Sequence, residues 1–188
     1  MKKPLAGIIN LSTNNILSIK RALEFVGFNT LLINENTEVT KFDLIVLPGV
    51  GAFNEAMSTL NNTNLIKTID KTLNKNKKFL GICLGMQLLF QESNEFIKTK
   101  GIGFFDGKVK NFKDFPIYKK TFIGWNKVNF EKKFFKSDKQ FSLLQNKSYY
   151  FVHSFFVNCK NKNIEYGNSK NGKLTYASVV KKDNVTAF

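Results

Sequence analysis

Apolar and polar positions alternate along the first half of the chain in two rhythms. Compact apolar runs at residues 5–9, 30–33, 42–47 and 79–83 are bounded by polar residues, Pro or Gly, and each is too short for a helix. Such runs predict strands buried on both faces. Between them the apolar residues fall at helical spacing. Ile16, Ile19, Leu23 and Val26 form one stripe, with Asn14 or Asn15 as its cap and Gly27 as its stop. Residues 52–60 and 65–73 carry two further stripes, and residues 84–90 begin another helix. Strands alternating with helices predict an α/β fold, a mostly parallel sheet covered on both faces.

Beyond Gly101 the rhythm changes to short strands between Gly and Asn turns, at residues 107–109, 125–130, 149–157 and 175–180. These read as β-rich additions to one domain spanning residues 1–188. Residues 131–147 are polar enough to be a surface excursion. Residues 185–188 read as a strand that has only just started, an abrupt stop.

Composition narrows the function classes. A chain of 188 residues with 43% hydrophobic content can build a substantial core. No run of about 18 apolar residues is present to span a bilayer. The start, Met1-Lys2-Lys3-Pro4 followed by a short apolar run and Asn10, does not resemble a signal peptide, so a cytoplasmic location without membrane attachment is expected. The formal charge of +15 raises a nucleic-acid partner. Against it, Arg21 is the only arginine, and the lysines are scattered in ones and twos instead of forming a patch. Guanidinium forks are the favoured readers of bases and phosphates. A solvated lysine surface, able to attract anionic metabolites or an acidic partner, is the expectation, with no nucleic acid bound. Cys83 and Cys159 stand far apart without further Cys or His at ligand spacing, which argues against a disulfide framework, a metal site or a metal cofactor.

Cys83 has a more specific setting. In Gly81-Ile82-Cys83-Leu84-Gly85 it lies between an apolar strand and a helix, with a glycine two positions away on each side. That spacing is the nucleophile elbow: the turn is so sharp that the flanking positions tolerate almost no side chain. A helix starting at Leu84 would aim its free N–H groups at the sulfur and favour thiolate. An oxyanion hole needs a second donor, usually from the loop after a neighbouring strand. Pro48-Gly49-Val50-Gly51 follows the strand at residues 42–47, and its two glycines leave the Val50 peptide free to turn.

These turns, together with Gly81-Ile82-Cys83-Leu84-Gly85-Met86-Gln87-Leu88-Leu89, the Gly101-to-Val109 segment, Gly124-Trp125-Asn126 and Tyr150-Phe151-Val152-His153-Ser154, resemble successive signature segments of one family. It is the glutaminase subunits of imidazole glycerol phosphate synthases, within the class I glutamine amidotransferases. The resemblance covers nearly the whole chain in the expected order. It implies a flavodoxin-like sheet, hydrolysis of L-glutamine to glutamate and ammonia, and a heterodimer with a (β/α)8 cyclase subunit that consumes the ammonia in histidine biosynthesis. Carried over by position, Cys83 matches the nucleophile, and Val50 and Leu84 match the oxyanion donors, with Gly49 and Gly51 flanking Val50. Gln87 and Glu95 match residues holding the α-amino and α-carboxyl end of glutamine, and Ser154 with Phe155 match contacts from the opposite strand.

Two departures qualify the resemblance. The family's general base is a His supported by a Glu in a Phe-His-Pro-Glu segment, and the strand leading into that segment resembles Asp183-Asn184-Val185-Thr186-Ala187-Phe188. The 188 residues stop there, so the chain is expected to be truncated before the segment and catalytically impaired as it stands. His153, the only histidine, matches a different family position. Leu11-Ser12-Thr13-Asn14-Asn15 stands where the family more often has a glycine-bearing turn. Two alternatives stay open. One is a paralogous subunit supplying ammonia for amidination of a surface-polysaccharide sugar, to which the run from His153 to Cys159 bears some likeness. The other is a non-catalytic docking or regulatory subunit.

Overall fold

A computed structural model describes residues 2–11, 15–35, 37–75, 77–116, 119–135 and 139–188. The departure at residues 12–14, with Asn14 as a possible cap, lies outside them. The first half runs β1 (Leu5–Ile9), α1 (Ile16–Phe25), β2 (Asn29–Ile33), β3 (Leu44–Leu47), α2 (Phe53–Asn62), α3 (Leu65–Asn74), β4 (Phe79–Gly81) and α4 (Leu84–Leu88). The second runs β5 (Phe90–Ser93), β6 (Thr99–Lys100), β7 (Phe105–Asn111), β8 (Phe122–Lys127), β9 (Asn129–Phe130), α5 (Gln140–Leu143), β10 (Ser148–His153), β11 (Phe155–Cys159), β12 (Glu165–Asn171), β13 (Leu174–Lys182) and β14 (Val185–Ala187).

The main sheet has the order β2-β1-β3-β4-β14-β13-β11-β7-β5-β6. Its first five strands are parallel. From β13 onward the added strands are mainly antiparallel. The larger core lies under α2, α3 and α4, where Phe53, Phe79, Phe90 and Phe105 lose all or nearly all solvent contact. A smaller cluster of Ala6, Ile8, Leu23 and Val46 lies under α1. Both faces of β1, β3 and β4 are therefore covered, as their unbroken apolar runs require, whereas the run of β2 departs from the expected two-faced burial, because at the sheet edge Leu31 and Leu32 stay about half exposed.

Several elements differ from expectation. Asn15 occupies the cap position of α1, but its side chain gives the backbone no cap bond; its Oδ1 accepts from the Ser18 hydroxyl at 2.6 Å. The helix expected over residues 84–90 stops at Leu88, because Phe90 opens a buried strand paired with β7 and packs its ring 5.4 Å from that of Phe105. The single strand expected over residues 149–157 breaks at Ser154. Its first part, β10, pairs with β8 in a separate two-stranded ribbon, and its second part, β11, enters the main sheet. The run expected over residues 125–130 likewise divides at Val128. In the excursion over residues 131–147, Phe141 is buried and stacks on Phe130 at 5.6 Å, so that segment is anchored and is not purely surface. Residues 185–187 do form a strand. It lies inside the sheet between β4 and β13.

Candidate active site

The turn after β4 is where the backbone is most constrained. Cys83 adopts φ +55° and ψ −114°, a conformation L residues rarely hold. Such a residue costs about 1–3 kcal/mol and persists only where its surroundings fix it. Here they do. The Ile82 N–H donates to Leu47 O at 3.0 Å and the Cys83 N–H to Phe188 O at 2.8 Å, tying the turn to β3 on one side and to the end of β14 on the other. The Gly85 N–H returns to Ile82 O at 2.9 Å. A Cβ on Gly85 would stand 1.8 Å from the Leu47 carbonyl oxygen, so only glycine lets α4 start this close to β3.

Opposite lies the loop from Pro48 to Ala52, linking β3 to α2. Gly51 has φ +107°, and Gly49 packs so closely on Leu84 that an added Cβ would meet the Leu84 Cβ at 2.9 Å. The two turns expected to make an oxyanion hole are thus in direct contact.

Burial opposes the thiolate-favouring effect expected of the helix that follows Cys83. Although Cys83 is open to solvent on one side, the protein packed around it pushes its pKa above the ordinary cysteine value; the hydrogen bond from the Leu84 backbone acts in the opposite direction and is the smaller effect. Helix α4, with five residues, is too short for a large dipole contribution. Activation of Cys83 therefore calls for a base.

A cleft of about 540 Å³ brings together Val50, Gly51, Cys83, Leu84, Gln87, Glu95, Ser154 and Phe155. Every residue singled out from the sequence lines it except Gly49, which lies behind Val50 against Leu84. The volume falls within the range of small-molecule sites. Gln87 is buried, and its Nε2 points to the Phe155 carbonyl at 3.4 Å. Glu95 accepts the Phe53 N–H at 2.8 Å. The Ser154 hydroxyl bonds that of Thr121 at 2.8 Å.

Thr121, Tyr150 and Val152 join the cleft without having been expected there, beside His153, whose matching family position is near substrate. The available signal was the run Tyr149-Tyr150-Phe151-Val152, apolar on both faces in a strand of a two-stranded ribbon. His153 lies among the rings of Phe112, Phe122, Phe151 and Tyr176. Its Nδ1 bonds the Phe155 carbonyl at 2.8 Å and its Nε2 the Tyr176 hydroxyl at 3.2 Å. A carbonyl can only accept, so Nδ1 carries the proton and Nε2 accepts from Tyr176. Burial lowers the pKa of His153, in keeping with a neutral ring. A second cavity of about 250 Å³ adjoins Cys83 on the side of Phe188 and is walled by apolar residues such as Met86, Phe130 and Val179. Cys159 is buried, and burial followed by the neighbouring Glu165 carboxylate pushes its thiol up to about 12. Among the described residues no helix is long and apolar enough to cross a membrane.

A strained Cys between two glycines, facing a glycine-flanked loop at the ends of parallel strands, agrees with the family model that matches the chain. The model of the class-I glutamine amidotransferases covers residues 6–188, and the chain belongs to that family. Among curated relatives, imidazole glycerol phosphate synthase subunit HisH of Caldanaerobacter subterraneus subsp. tengcongensis is 38% identical over 184 residues, covering 96% of this chain and 86% of the relative. The subunit HisH of Methanocaldococcus jannaschii is 40% identical, covering 97% of this chain and 88% of the relative. Among solved structures, PurLQS from Thermotoga maritima superposes with a TM-score of 0.77 at 18% identity, covering 98% of this chain and 85% of that one. A glutamine amidotransferase from Thermotoga maritima gives 0.61 at 16% identity, covering 100% of this chain and 75% of that one. At those identities the structures speak to the fold alone: it is that of the class I glutamine amidotransferases.

Proposed function

We propose that the chain is the glutaminase subunit of an imidazole glycerol phosphate synthase, acting in the cytoplasm, with L-glutamine bound in the cleft and Cys83 as its nucleophile. The observation that carries this reading is the contact between the two turns, which sets Cys83 beside Val50 and Leu84 in one cleft with Gln87, Glu95, Ser154 and Phe155.

In the reaction, the Cys83 sulfur adds to the side-chain amide carbon of glutamine, and the carbonyl oxygen takes up the negative charge. The backbone N–H groups of Val50 and Leu84 stabilise that oxyanion. The C–N bond breaks as the nitrogen is protonated, ammonia leaves, and water cleaves the thioester to give glutamate. Glu95 meets the substrate ammonium, while Gln87 and the Ser154–Phe155 backbone hold the α-carboxylate at the same end.

Proton transfer needs a base, because the Cys83 thiol pKa is raised. Neutral His153 has both nitrogens engaged and is not that base. Because Phe188 O accepts the Cys83 N–H at 2.8 Å, a His-Pro-Glu segment placed directly after Phe188 would emerge beside the thiol. The apolar cavity there would favour a neutral imidazole. Without such a segment the 188 residues should turn over about 10² to 10⁴ times more slowly.

Ammonia must leave the cleft without being lost to solvent, so a partner has to seal the rim. On the exposed face of the β8–β10 ribbon, Ile123 pairs with Val152 and Trp125 with Tyr150, and all four side chains are more than half exposed. Tyr150 and Val152 also line the cleft. This face suits a (β/α)8 cyclase subunit. Buried Cys159 offers the sugar-amidinating alternative no chemistry.

The test is glutamate release from glutamine by the chain with a His-Pro-Glu segment after Phe188, with and without the cyclase, and imidazole glycerol phosphate formation when the cyclase and its phosphorylated acceptor substrate are both supplied. Cys83-dependent hydrolysis, faster with the cyclase, is expected; equal turnover without it, or activity retained in Cys83→Ser, would remove the reading.

A further inference from the structure

The loop carrying Val50 and helix α2 share a boundary. Residues 48–51 run into Ala52, and the helix starts at Phe53, whose ring is fully buried. The Phe53 N–H is one of the first-turn donors that find no partner inside a helix, and Ala52 at the cap position has no side chain to satisfy it. The acceptor comes from far along the chain: Glu95 Oε2, at 2.8 Å.

Glu95 is itself firmly mounted. Its N–H donates to the hydroxyl of buried Ser93 at 3.1 Å, its carbonyl accepts the Ile97 N–H at 2.7 Å, and Phe96 beside it holds φ +57°. From this support its carboxylate reaches both the start of α2 and the cleft that holds Cys83, Val50 and Gly51. Phe53 uses one carboxylate oxygen; the second can meet a cation. Val50, between Gly49 and Gly51, lies three residues before the anchored Phe53, so a change at Glu95 acts on the end of the connection that carries it.

We propose that Glu95 couples capture of glutamine to the setting of the oxyanion loop, one carboxylate oxygen fixing the end of the Val50 loop and the other receiving the substrate ammonium. The proposal rests on the reading of the cleft as a glutamine site and adds a positioning role to Glu95. An ammonium arriving at Glu95 draws on the same charge that holds Phe53, so occupancy of the anchor is felt where the loop enters α2.

Two variants separate the roles. Glu95→Gln keeps an oxygen for the Phe53 N–H and loses the charge, whereas Glu95→Ala loses both. Glutamine hydrolysis should be measured in the chain carrying its base and paired with the cyclase, and hydrogen exchange followed at the Phe53 amide. The expectation for Glu95→Gln is a KM raised about tenfold or more, with kcat within about threefold of wild type. Glu95→Ala should show the same KM increase, a further loss in kcat of about fivefold, and Phe53 exchange faster by about the same factor, the size of a lost helix cap. Equal kcat in the two variants, or unchanged Phe53 exchange in Glu95→Ala, overturns the coupling while leaving Cys83-dependent hydrolysis in place. A wild-type chain that does not hydrolyse glutamine removes the function and the coupling together.

Discussion

The parallel half of the sheet and the β-rich half contribute differently to the same cleft. From β3 and β4 come the two turns, where function resides in backbone geometry: a Cys at positive φ, a glycine that admits no Cβ, and a loop with Gly51 in the left-handed region. From β10 and β11 come walls made of side chains, with Ser154 at the point where the strand leaves the ribbon for the main sheet. Backbone geometry of the first kind admits few residue types. Walls of the second kind admit many, and their tolerance leaves room for partner and substrate contacts to vary on a constant reaction centre.

The contrast is tested most severely at the nucleophile. Cys83→Ser in the chain paired with the proposed cyclase subunit should lower glutamine hydrolysis on the order of 10⁴-fold, with secondary structure by circular dichroism unchanged. The turn itself comes next. Gly85→Ala drives a methyl into the Leu47 carbonyl, and a stability loss of roughly 3 kcal/mol or more is expected by denaturant unfolding, whereas an alanine at exposed Lys98 should cost under about 0.5 kcal/mol.

On the β-rich side the effects should be on association instead. Trp125→Ala is expected to leave stability within about 0.5 kcal/mol and to weaken binding of the proposed cyclase subunit about tenfold or more, measured by titration calorimetry. The smallest effect concerns pH. The lowered pKa of His153 means that the unfolded chain binds its proton more readily than the folded one. Stability from this group is therefore complete above about pH 6.5 and is lost as pH falls from there through the folded value. His153→Gln should flatten that slope in unfolding curves taken between about pH 5 and 7.

The same difference explains what was readable in advance. Both turns were legible because glycine spacing records a backbone constraint directly, and the unbroken runs of β1, β3 and β4 record burial on two faces; the equally apolar run of β2 does not, since its place at the sheet edge is set by the pairing and not by its own residues. Less legible were elements with mixed patterns. β12 buries Glu165, Ser169 and Asn171, so counting apolar residues passes over it. Phe90 could equally have continued α4, since a short apolar run fits either period. The break at Ser154 had no signal, because residues on both sides of it favour strands and only the pairing partner changes. The upward push on the Cys83 thiol was not legible because burial is a tertiary property; it outweighs the backbone hydrogen bond from Leu84. Glu95 was placed at the substrate by resemblance, but its bond to Phe53 spans parts of the chain far apart in sequence.

Cys83 as the nucleophile for glutamine is tested most directly by covalent labelling. The probe is a glutamine analogue carrying an electrophilic carbon in place of the side-chain amide, applied to the cyclase-paired chain, with peptide mapping by mass spectrometry. Stoichiometric label on Cys83, protection by excess L-glutamine and an unmodified Cys159 are predicted. Label on Cys159, or label on Cys83 that L-glutamine does not suppress, would contradict the assignment.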